Sequence, residues 1–324
     1  MQKSKIYYRY RFLRQKRNFF LLPTRFSFAF CHALCYNTKN ISEGASVDVK
    51  QILKENGFRF NKQFGQNFLT DGNVLSSITD DAEIGSEDVV LEIGAGAGTL
   101  TRAIADRADR VVAMEIDRNL EKILALTLAD KHNVKVVIGD VMRYPMEQIE
   151  SMCGCEYKVV ANIPYYITTP LIMNFVEQGK HVQSLTLTIQ KEVAERLAAS
   201  PATKQYGAIT VGVNAVADVT LCRILPRNLF YPEPNVDSAV VRLDINRNKF
   251  DIDDHAFFRK TVRIAFAMRR KTLVNNLTVG FKIDRTIAES ILIKAGLSAT
   301  CRGEELSVEQ FVQLAKLIRA SGIA

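Results

Sequence analysis

Residues 88–98 read Asp-Val-Val-Leu-Glu-Ile-Gly-Ala-Gly-Ala-Gly, and this stretch decides the fold. Its first six residues form a mostly apolar run that is typical of a buried strand, and glycine then alternates with alanine. Residues 99–105 continue with a helical pattern. Open α/β sheets build a nucleotide crevice from a strand, a glycine loop and a helix in this order. Glycine permits close backbone approach there, and a helix N-terminus favours electron-rich groups.

Three further apolar runs also end in polar residues. The strand ends are Glu115 after residues 110–114, Asp140 after residues 134–138, and Asn162 after residues 158–161. Each ending alone has a simple structural explanation, such as a helix N-cap or a turn. Because ligands bind at the carboxyl edge of parallel sheets, four such endings in succession predict a binding site at that edge.

The glycine spacing and the acidic residues distinguish between two classes of cofactor. The loop reads Gly-x-Gly-x-Gly, whereas dinucleotide sites use Gly-x-Gly-x-x-Gly, and Glu92 lies two residues before Gly94. Glu115 lies about 20 residues after Gly94, where an acidic group commonly binds ribose hydroxyls. Asp140 is placed to meet an adenine amine. No histidine or tyrosine suited to hydride transfer occurs in this region, so the pattern favours S-adenosylmethionine over a dinucleotide.

The tetrapeptide Asn162-Ile163-Pro164-Tyr165 suits the binding of a flat, weakly nucleophilic amine. The exocyclic nitrogen of adenine is such a group, because its lone pair is delocalised into the ring. The side-chain oxygen of Asn162 and the carbonyl of Ile163 are placed to accept its two hydrogens, and Tyr165 is placed to stack on the base. A strand that simply ends in a proline turn is the alternative interpretation.

Four motifs together resemble the rRNA adenine N6-dimethyltransferase family, and most closely its bacterial branch that acts on 16S rRNA of the small subunit. They are residues 63–69 (Gln-Phe-Gly-Gln-Asn-Phe-Leu), 92–101, 162–165 and 230–238 (Phe-Tyr-Pro-Glu-Pro-Asn-Val-Asp-Ser). The resemblance runs from about residue 49 to the C-terminus. It implies dimethylation of two adjacent adenosines near the 3′ end of 16S rRNA during ribosome biogenesis, with S-adenosylmethionine as the methyl donor.

The resemblance also implies the site residues, the architecture and the partners. Those implied for the cofactor are Asn67, Leu69, Gly94, Glu115, Asp140 and Asn162, and those implied for the target base are Asn162, Tyr165 and Phe230. The expected fold is an α/β, seven-stranded, Rossmann-like methyltransferase domain over residues 47–248, followed by a small helical RNA-contacting domain over residues 249–324. The expected partner is small-subunit rRNA in a pre-30S particle, and the enzyme is expected to be a monomer without a metal or a membrane contact.

Charge is unevenly distributed along the chain. Residues 43–248 contain 21 basic and 27 acidic residues, whereas residues 249–324 contain 13 basic and eight acidic ones. Basic residues at 259, 260, 263 and 269–271 cluster near an apolar helical pattern that begins at His255. Such a cluster is often only a solvated helix face, but beside an adenine site it predicts contacts with RNA phosphates.

Residues 1–46 form a separate basic leader. Its first 42 residues contain nine Lys and Arg and no acidic residue. We expect a disordered extension or a start codon placed too early, with Val47 as a sensible beginning of the domain. An organellar presequence is the alternative, although the leader is poorer in serine than such signals. The expected location is therefore the cytoplasm, or a mitochondrion or plastid if the leader is a presequence.

Two other functions share these motifs. One is the macrolide-resistance type of enzyme, which methylates one adenosine of 23S rRNA, although residues 230–238 and the length of the C-terminal domain favour the small-subunit type. The other is a non-catalytic assembly or transcription factor on the same fold. The intact glycine loop and the intact residues 162–165 argue against a loss of chemistry.

Overall fold

A mixed sheet of seven strands forms the centre of the molecule. The computed structural model describes residues 49–61 and 65–323. The predicted leader, residues 1–46, and Gln63 and Phe64 of the first motif lie outside the described residues. The strands of this sheet are β2 (Val89–Ile93), β3 (Arg110–Glu115), β4 (Val134–Ile138), β5 (Tyr157–Asn162), β6 (Val182–Gln190), β7 (Ala217–Leu225) and β9 (Ser238–Ile245). Two short strands, β1 (Phe68–Leu69) and β8 (Phe230–Tyr231), pair in a separate sheet.

Helices connect most of these strands. They are α1 (Val49–Glu55), α2 (Gly72–Asp81), α3 (Thr99–Ala105), α4 (Glu121–Thr127), α5 (Met146–Cys153), α6 (Thr168–Gln178), α7 (Lys191–Leu197), α8 (Ala208–Asn214), α9 (His255–Ala265), α10 (Leu273–Phe281), α11 (Arg285–Lys294) and α12 (Val308–Ala320). Among the described residues, no helix is both long enough and apolar enough to cross a lipid bilayer.

The strand order places a crevice beside the glycine loop. The order is β4-β3-β2-β5-β6-β9-β7, and β9 runs antiparallel to both of its neighbours. From β2 the chain first builds outward to β3 and β4, and then returns to add β5 on the other side. Ligands of open α/β sheets bind at the carboxyl ends of strands where this direction reverses. The predicted Rossmann-like fold is confirmed.

Alternating side chains of the sheet pack into two apolar layers. On β2, Val90 joins the layer that contains α2 and α3, whereas Leu91 joins the opposite layer. Val111 and Val112 on β3 divide in the same way. Successive side chains of a strand point to opposite faces, so a sheet with helices on both faces requires continuous apolar strands. This requirement explains the apolar runs in the sequence.

The second half of the chain resolves one ambiguity of the sequence. Residues 206–218 have a pattern that fits either a strand or a helix, and the structure contains both, α8 followed by β7 from Ala217. The helical pattern predicted from His255 onward is confirmed as α9 to α12. Serine at 307 and glutamine three residues later predict a capping box at the start of the last helix. The structure confirms it, because Ser307 N donates to Gln310 Oε1 at 2.9 Å and Gln310 N donates to Ser307 Oγ at 3.3 Å.

The C-terminal helices share an apolar layer with the sheet. Phe258, Leu277 and Leu314 belong to the same buried cluster as Leu185 on β6. The hydroxyl of Tyr206 also donates to the carbonyl of Leu306 at 2.8 Å, across 100 residues of sequence. The helical region is therefore packed directly on the sheet layer. A boundary between two domains at residues 248 and 249 stays a prediction.

Candidate active site

One cavity lies at the carboxyl ends of β2, β3, β4 and β5, which are adjacent parallel strands. Gly94 after β2, Glu115 at the end of β3, Asp140 after β4 and Asn162 at the end of β5 all line it. Asn67, which precedes β1, lines it as well. The four strand endings that the sequence predicts to lie together do meet in one place. Five of the six residues implied for the cofactor therefore surround a single cavity.

The glycine loop is shaped for close approach to that cavity. Gly94 has φ +79°, and a Cβ atom placed on it would lie 3.3 Å from the backbone oxygen of Asn162. Gly96 has φ +59°, and its Cβ would lie 2.8 Å from the ring of Phe68. An L side chain is disfavoured at such φ values and also lacks room here. Glycine at these two positions keeps the walls of the cavity in place.

Most backbone N–H groups of the loop are hydrogen-bonded within the protein. Gly94 N and Ala95 N donate to the carbonyl of Met114 at 2.9 and 3.1 Å. Gly96 N donates to Glu115 Oε2 at 2.7 Å. A loop that binds a pyrophosphate presents its N–H groups to the ligand instead. This geometry fits S-adenosylmethionine, which has no phosphate, better than it fits a dinucleotide.

Glu115 is held firmly at the floor of the cavity. Its other carboxylate oxygen, Oε1, accepts a hydrogen bond from Asp117 N at 2.8 Å. Only 5% of the residue is exposed. Burial raises the pKa of Glu115, while the hydrogen bonds from Asp117 and Gly96 oppose that rise. A carboxylate that two backbone donors orient in this way still has lone pairs for the hydroxyls of a ribose.

Glu92 is buried beneath the loop and does not line the cavity. It has no exposed surface, and neither of its oxygens has a hydrogen-bond partner among the described residues. Burial raises the pKa of Glu92 to about 8, the nearby Thr101 hydroxyl lowers it, and Glu115 raises it further. The hydroxyl of Thr101 is close to Glu92, but it makes no hydrogen bond of normal geometry with a described residue. Glu92 is therefore largely neutral at pH 7.

Two aspartates cap turns near the cavity, and one of them, Asp140, lines it. Asp140 Oδ1 accepts from Met142 N at 3.0 Å, and its other oxygen lies 3.4 Å from the guanidinium of Arg143. Asp117 Oδ2 accepts from the side-chain amide of Gln66 at 2.7 Å. The N-cap interpretation thus holds for Asp140, which also lines the cavity, whereas Asp117 caps the turn after Glu115 and does not line it. Together with Glu115, these carboxylates favour a ligand that carries positive charge.

The amide of Asn162 is oriented by a contact with the first motif. Its nitrogen Nδ2 donates to the backbone oxygen of Asn67 at 2.9 Å. Because a carbonyl oxygen only accepts, the nitrogen must point toward Asn67, and Oδ1 is left as the acceptor end of the side chain. The backbone of the next residue is also held, because Ile163 N donates to the carbonyl of Thr188 on β6 at 3.2 Å. The two predicted acceptors for an adenine amine are thus held in position.

Tyr165 lies between this cavity and a second one. Its ring belongs to both linings, and it is half-buried. The second cavity is bounded on its far side by Gln190 and by residues 232–236 of the proline-rich motif. The hydroxyl of Tyr165 lies 2.9 Å from Ser238 Oγ. A planar group that entered through the second cavity would meet the face or edge of this ring next to Asn162.

Leu69 and Phe230 lie apart from the other predicted site residues. Leu69 is 2% exposed and Phe230 is 5% exposed, and neither lines the first or the second cavity. They are direct partners in the two-stranded sheet of β1 and β8. The carbonyl of Leu69 accepts from the hydroxyl of Thr99 at 3.1 Å, at the start of α3. The predicted contact of Phe230 with the base stays a prediction, and in this structure Phe230 belongs to the same buried apolar cluster as Phe68 and Leu69 of the first motif.

Several lining residues escaped the sequence interpretation. They are Gln66, Ile116, Met142 and Tyr166. Ile116 directly follows Glu115, and Tyr166 directly follows Tyr165, so immediate proximity to a predicted residue was the available signal. Met142 and Tyr166 are exposed large apolar side chains, at 37% and 59%. Such exposure in a cavity wall is typical of surfaces that stack against a flat ligand.

The predicted basic cluster is only partly free to bind phosphates. Arg259 pairs with Glu177 at 3.2 Å and Arg269 pairs with Glu304 at 2.7 Å. The ammonium of Lys260 lies 5.3 Å from the centre of the Phe281 ring. The exposed residues of the cluster that form no ion pair within the described chain are Arg263, Arg270 and Lys271. These three residues stay candidates for the predicted contacts with RNA phosphates.

Comparison with known proteins finds one family along most of the chain. The family described as ribosomal RNA adenine dimethylase matches residues 57–320. Ribosomal RNA small subunit methyltransferase A of Bacillus mycoides (strain KBAB4) is 44% identical over 277 residues, which cover 83% of this chain and 94% of that protein.

Two solved structures are similar along nearly their whole length. A dimethyladenosine transferase from Plasmodium falciparum has a TM-score of 0.68 and 26% identity, and the match covers 79% of this chain and 98% of that one. The 23S rRNA methyltransferase ErmE has a TM-score of 0.61 and 28% identity, and the match covers 78% of this chain and all (100%) of that one.

Proposed function

Since this chain belongs to the ribosomal RNA adenine dimethylase family, we propose that its first cavity binds S-adenosylmethionine and its second cavity admits the target adenosine. The protein is an S-adenosylmethionine-dependent adenine N6,N6-dimethyltransferase of small-subunit (16S) rRNA, with a role in ribosome biogenesis. The observation that carries the assignment of the site is the oriented amide of Asn162, whose acceptor oxygen remains available at the cavity.

The residues around the first cavity fit the methyl donor. S-adenosylmethionine supplies an electrophilic methyl group on a positively charged sulfonium. The side chains of Glu115 and Asp140 are acidic groups in the cavity wall, and Gly94 lacks the Cβ that would crowd that wall. In this proposal Glu115 binds the ribose hydroxyls and Asp140 binds the adenine amine. Asn67 closes the same wall through its backbone contact with Asn162.

Asn162, Ile163 and Tyr165 prepare the target amine for methylation. The oxygen of the Asn162 side chain and the carbonyl of Ile163 accept hydrogen bonds from the N6 amino group. This withdraws its lone pair from the ring and aims it toward the first cavity. Tyr165 holds the base by stacking. The nitrogen loses a proton only after it has gained the methyl group, so no strong base is required, and positioning with fixed dipoles supplies the catalysis.

The reaction is tested with radiolabelled S-adenosylmethionine on undermethylated small subunits and, in a parallel assay, on large subunits, which carry the 23S rRNA. Primer extension across both rRNAs then maps the modified bases. We expect dimethylation of two adjacent adenosines near the 3′ end of 16S rRNA. Label on 23S rRNA would instead support the macrolide-resistance type, and the absence of label on both rRNAs would support a non-catalytic factor.

The helical region contacts rRNA through Arg263, Arg270 and Lys271. Each cation that neutralises a phosphate releases condensed counterions and steepens the salt dependence of binding. A triple substitution to glutamine should therefore weaken binding to small subunits and flatten its salt dependence, with cofactor affinity unchanged. Lys294→Gln on α11 removes one charge and is the matched control for each of the three single substitutions. An equal effect of this control and of the single substitutions would show that only net charge matters.

The enzyme works as a monomer in the cytoplasm. Light scattering at several protein concentrations tests the first statement, and a mass that doubles with concentration would contradict it. The alternative location is a mitochondrion or plastid, with residues 1–46 as a presequence. Deletion of residues 1–46 should leave thermal stability and methylation unchanged. A separate experiment fuses residues 1–46 to a reporter protein, and import of the reporter into an organelle would support the presequence.

A further inference from the structure

The hydroxyl groups of Tyr165 and Ser238 lie 2.9 Å apart, although 73 residues separate them in sequence. Either oxygen is able to donate in this hydrogen bond. Tyr165 follows β5, and Ser238 is the first residue of β9. The contact therefore joins the loop beside the methyl-transfer site to a distant strand of the sheet.

Ser238 is a rigid anchor. It has no exposed surface, and its Cα pairs with Gln190 on β6 and with Leu225 on β7. The residue before it is also fixed, because Lys191 N donates to the carbonyl of Asp237 at 3.1 Å. A strand that is hydrogen-bonded on both sides cannot shift without breaking both ladders. The hydroxyl of Ser238 is thus a fixed point beside the carboxyl end of β6.

Tyr165 lacks an equally firm environment. It belongs to a single 3-10 turn, Tyr165–Ile167, and its ring lines two cavities rather than the packed core. Burial raises the pKa of its phenol, so the hydroxyl stays protonated and retains its hydrogen for a hydrogen bond. A ring with two rotatable bonds beside open space needs a contact at its far end in order to keep one orientation.

We propose that Ser238 is a positioning residue for methyl transfer, which holds the ring of Tyr165 in the orientation that stacks on the target adenine. The inference rests on the proposed role of Tyr165 as a base-holding residue. Residues 232–236, which line the second cavity, lead directly into Ser238. The wall of the base cavity and the orientation of the stacking ring are therefore set by the same segment.

Three variants of the full-length protein test this hydrogen bond: Ser238→Ala, Tyr165→Phe and the double variant. Turnover is measured on undermethylated small subunits, and cofactor affinity by calorimetry. Each single variant should lower kcat about three- to tenfold, the value of one net hydrogen bond, with cofactor Kd unchanged. The double variant should be no slower than either single variant, because both remove the same bond.

Ser184→Ala is the matched control. Ser184 lies near the other end of β6, is 5% exposed and pairs with Asp244, so the substitution removes a buried hydroxyl from the sheet without touching Tyr165. Its kcat should be unchanged. Thermal unfolding of every variant separates a loss of folding from a loss of positioning.

The outcomes separate this inference from the proposed function. Losses that add in the double variant, or a normal kcat in both single variants, would overturn the role of Ser238. If Tyr165→Ala is inactive while Tyr165→Phe and Ser238→Ala are normal, Tyr165 holds the base without help from Ser238. If Tyr165→Ala itself keeps normal turnover, the base-holding role of Tyr165 is wrong.

Discussion

Asn162 and Asn67, 95 residues apart, are joined by a 2.9 Å hydrogen bond from the Asn162 side-chain amide to the Asn67 backbone oxygen. The bond ties the end of β5 to the segment before β1, and both of these segments line the first cavity. It also decides which end of the Asn162 amide can accept a hydrogen bond. A contact between two cavity walls thereby sets the chemistry of the site.

Asn162→Ala should abolish methyl transfer while the protein stays folded. The variant loses an acceptor for the reacting amine, and the loss of one pre-organised polar group of this kind reduces turnover by about a hundredfold or more. Radiolabel transfer to undermethylated small subunits measures the effect. Asn133→Ala is the matched control, because it also removes side-chain bonds to backbone oxygens, those of Ala105 and Ala108, away from the cavity. Near-normal turnover of Asn162→Ala would refute the mechanism.

Gly94→Ala should damage the site more than a comparable change elsewhere. The alanine Cβ would lie 3.3 Å from the Asn162 carbonyl, in addition to the strain of φ +79°. Gly57→Ala is the control, since Gly57 has φ +63° and no atom lies within 4 Å of the position that its Cβ would take.

Both glycine variants should lose about 1–2 kcal/mol of folding stability from the left-handed backbone. Only Gly94→Ala should also lose cofactor affinity and turnover, as calorimetry and methylation assays would measure. Equal activity of the two variants would mean that the contact with Asn162 has no functional consequence.

Glu115→Ala should weaken S-adenosylmethionine binding by about 1–3 kcal/mol, because hydrogen bonds to charged groups have that size. The variant also leaves the N–H groups of Gly96 and Asp117 without their acceptor, so we expect a lower melting temperature as well. Calorimetry measures the affinity, with the exposed Glu121→Ala on the neighbouring helix as the control. An unchanged cofactor Kd would reduce Glu115 to a structural cap.

Glu92→Gln should change how stability depends on pH. The folded protein raises the pKa of Glu92 from 4.5 to about 8, so it keeps a proton that the unfolded chain releases. The free energy of unfolding of the wild type should therefore fall as pH rises from about 4.5 to about 8 through this group. Glutamine cannot ionise, so the variant lacks this part of the decline.

Denaturant unfolding at pH 5, 6.5 and 8 measures the difference. The stability of Glu92→Gln relative to the wild type should increase with pH across this range. A constant difference between the two proteins at all three values would show that Glu92 ionises normally in the fold.

The sequence by itself determined the fold class, the edge of the sheet at which the site lies, and the family. Apolar runs and the glycine loop are local signals, and parallel strands bring their carboxyl ends to one edge, so Gly94, Glu115, Asp140 and Asn162 could be grouped without coordinates. The capping box at Ser307 is local in the same way. The bounds of the helix and the strand within residues 206–218 could not be predicted, because the pattern of this stretch fits a helix and a strand equally well.

The tertiary structure alone decided the contacts that orient these residues. The bond between Asn162 and Asn67, the bond between Tyr165 and Ser238, and the pairing of β1 with β8 that buries Phe230 all join segments far apart in sequence. The burial that keeps Glu92 neutral likewise depends on layers from several elements. The local sequence pattern indicates which face of a helix or strand is apolar. The hydrogen-bond partner of a given polar atom depends instead on how the whole chain packs.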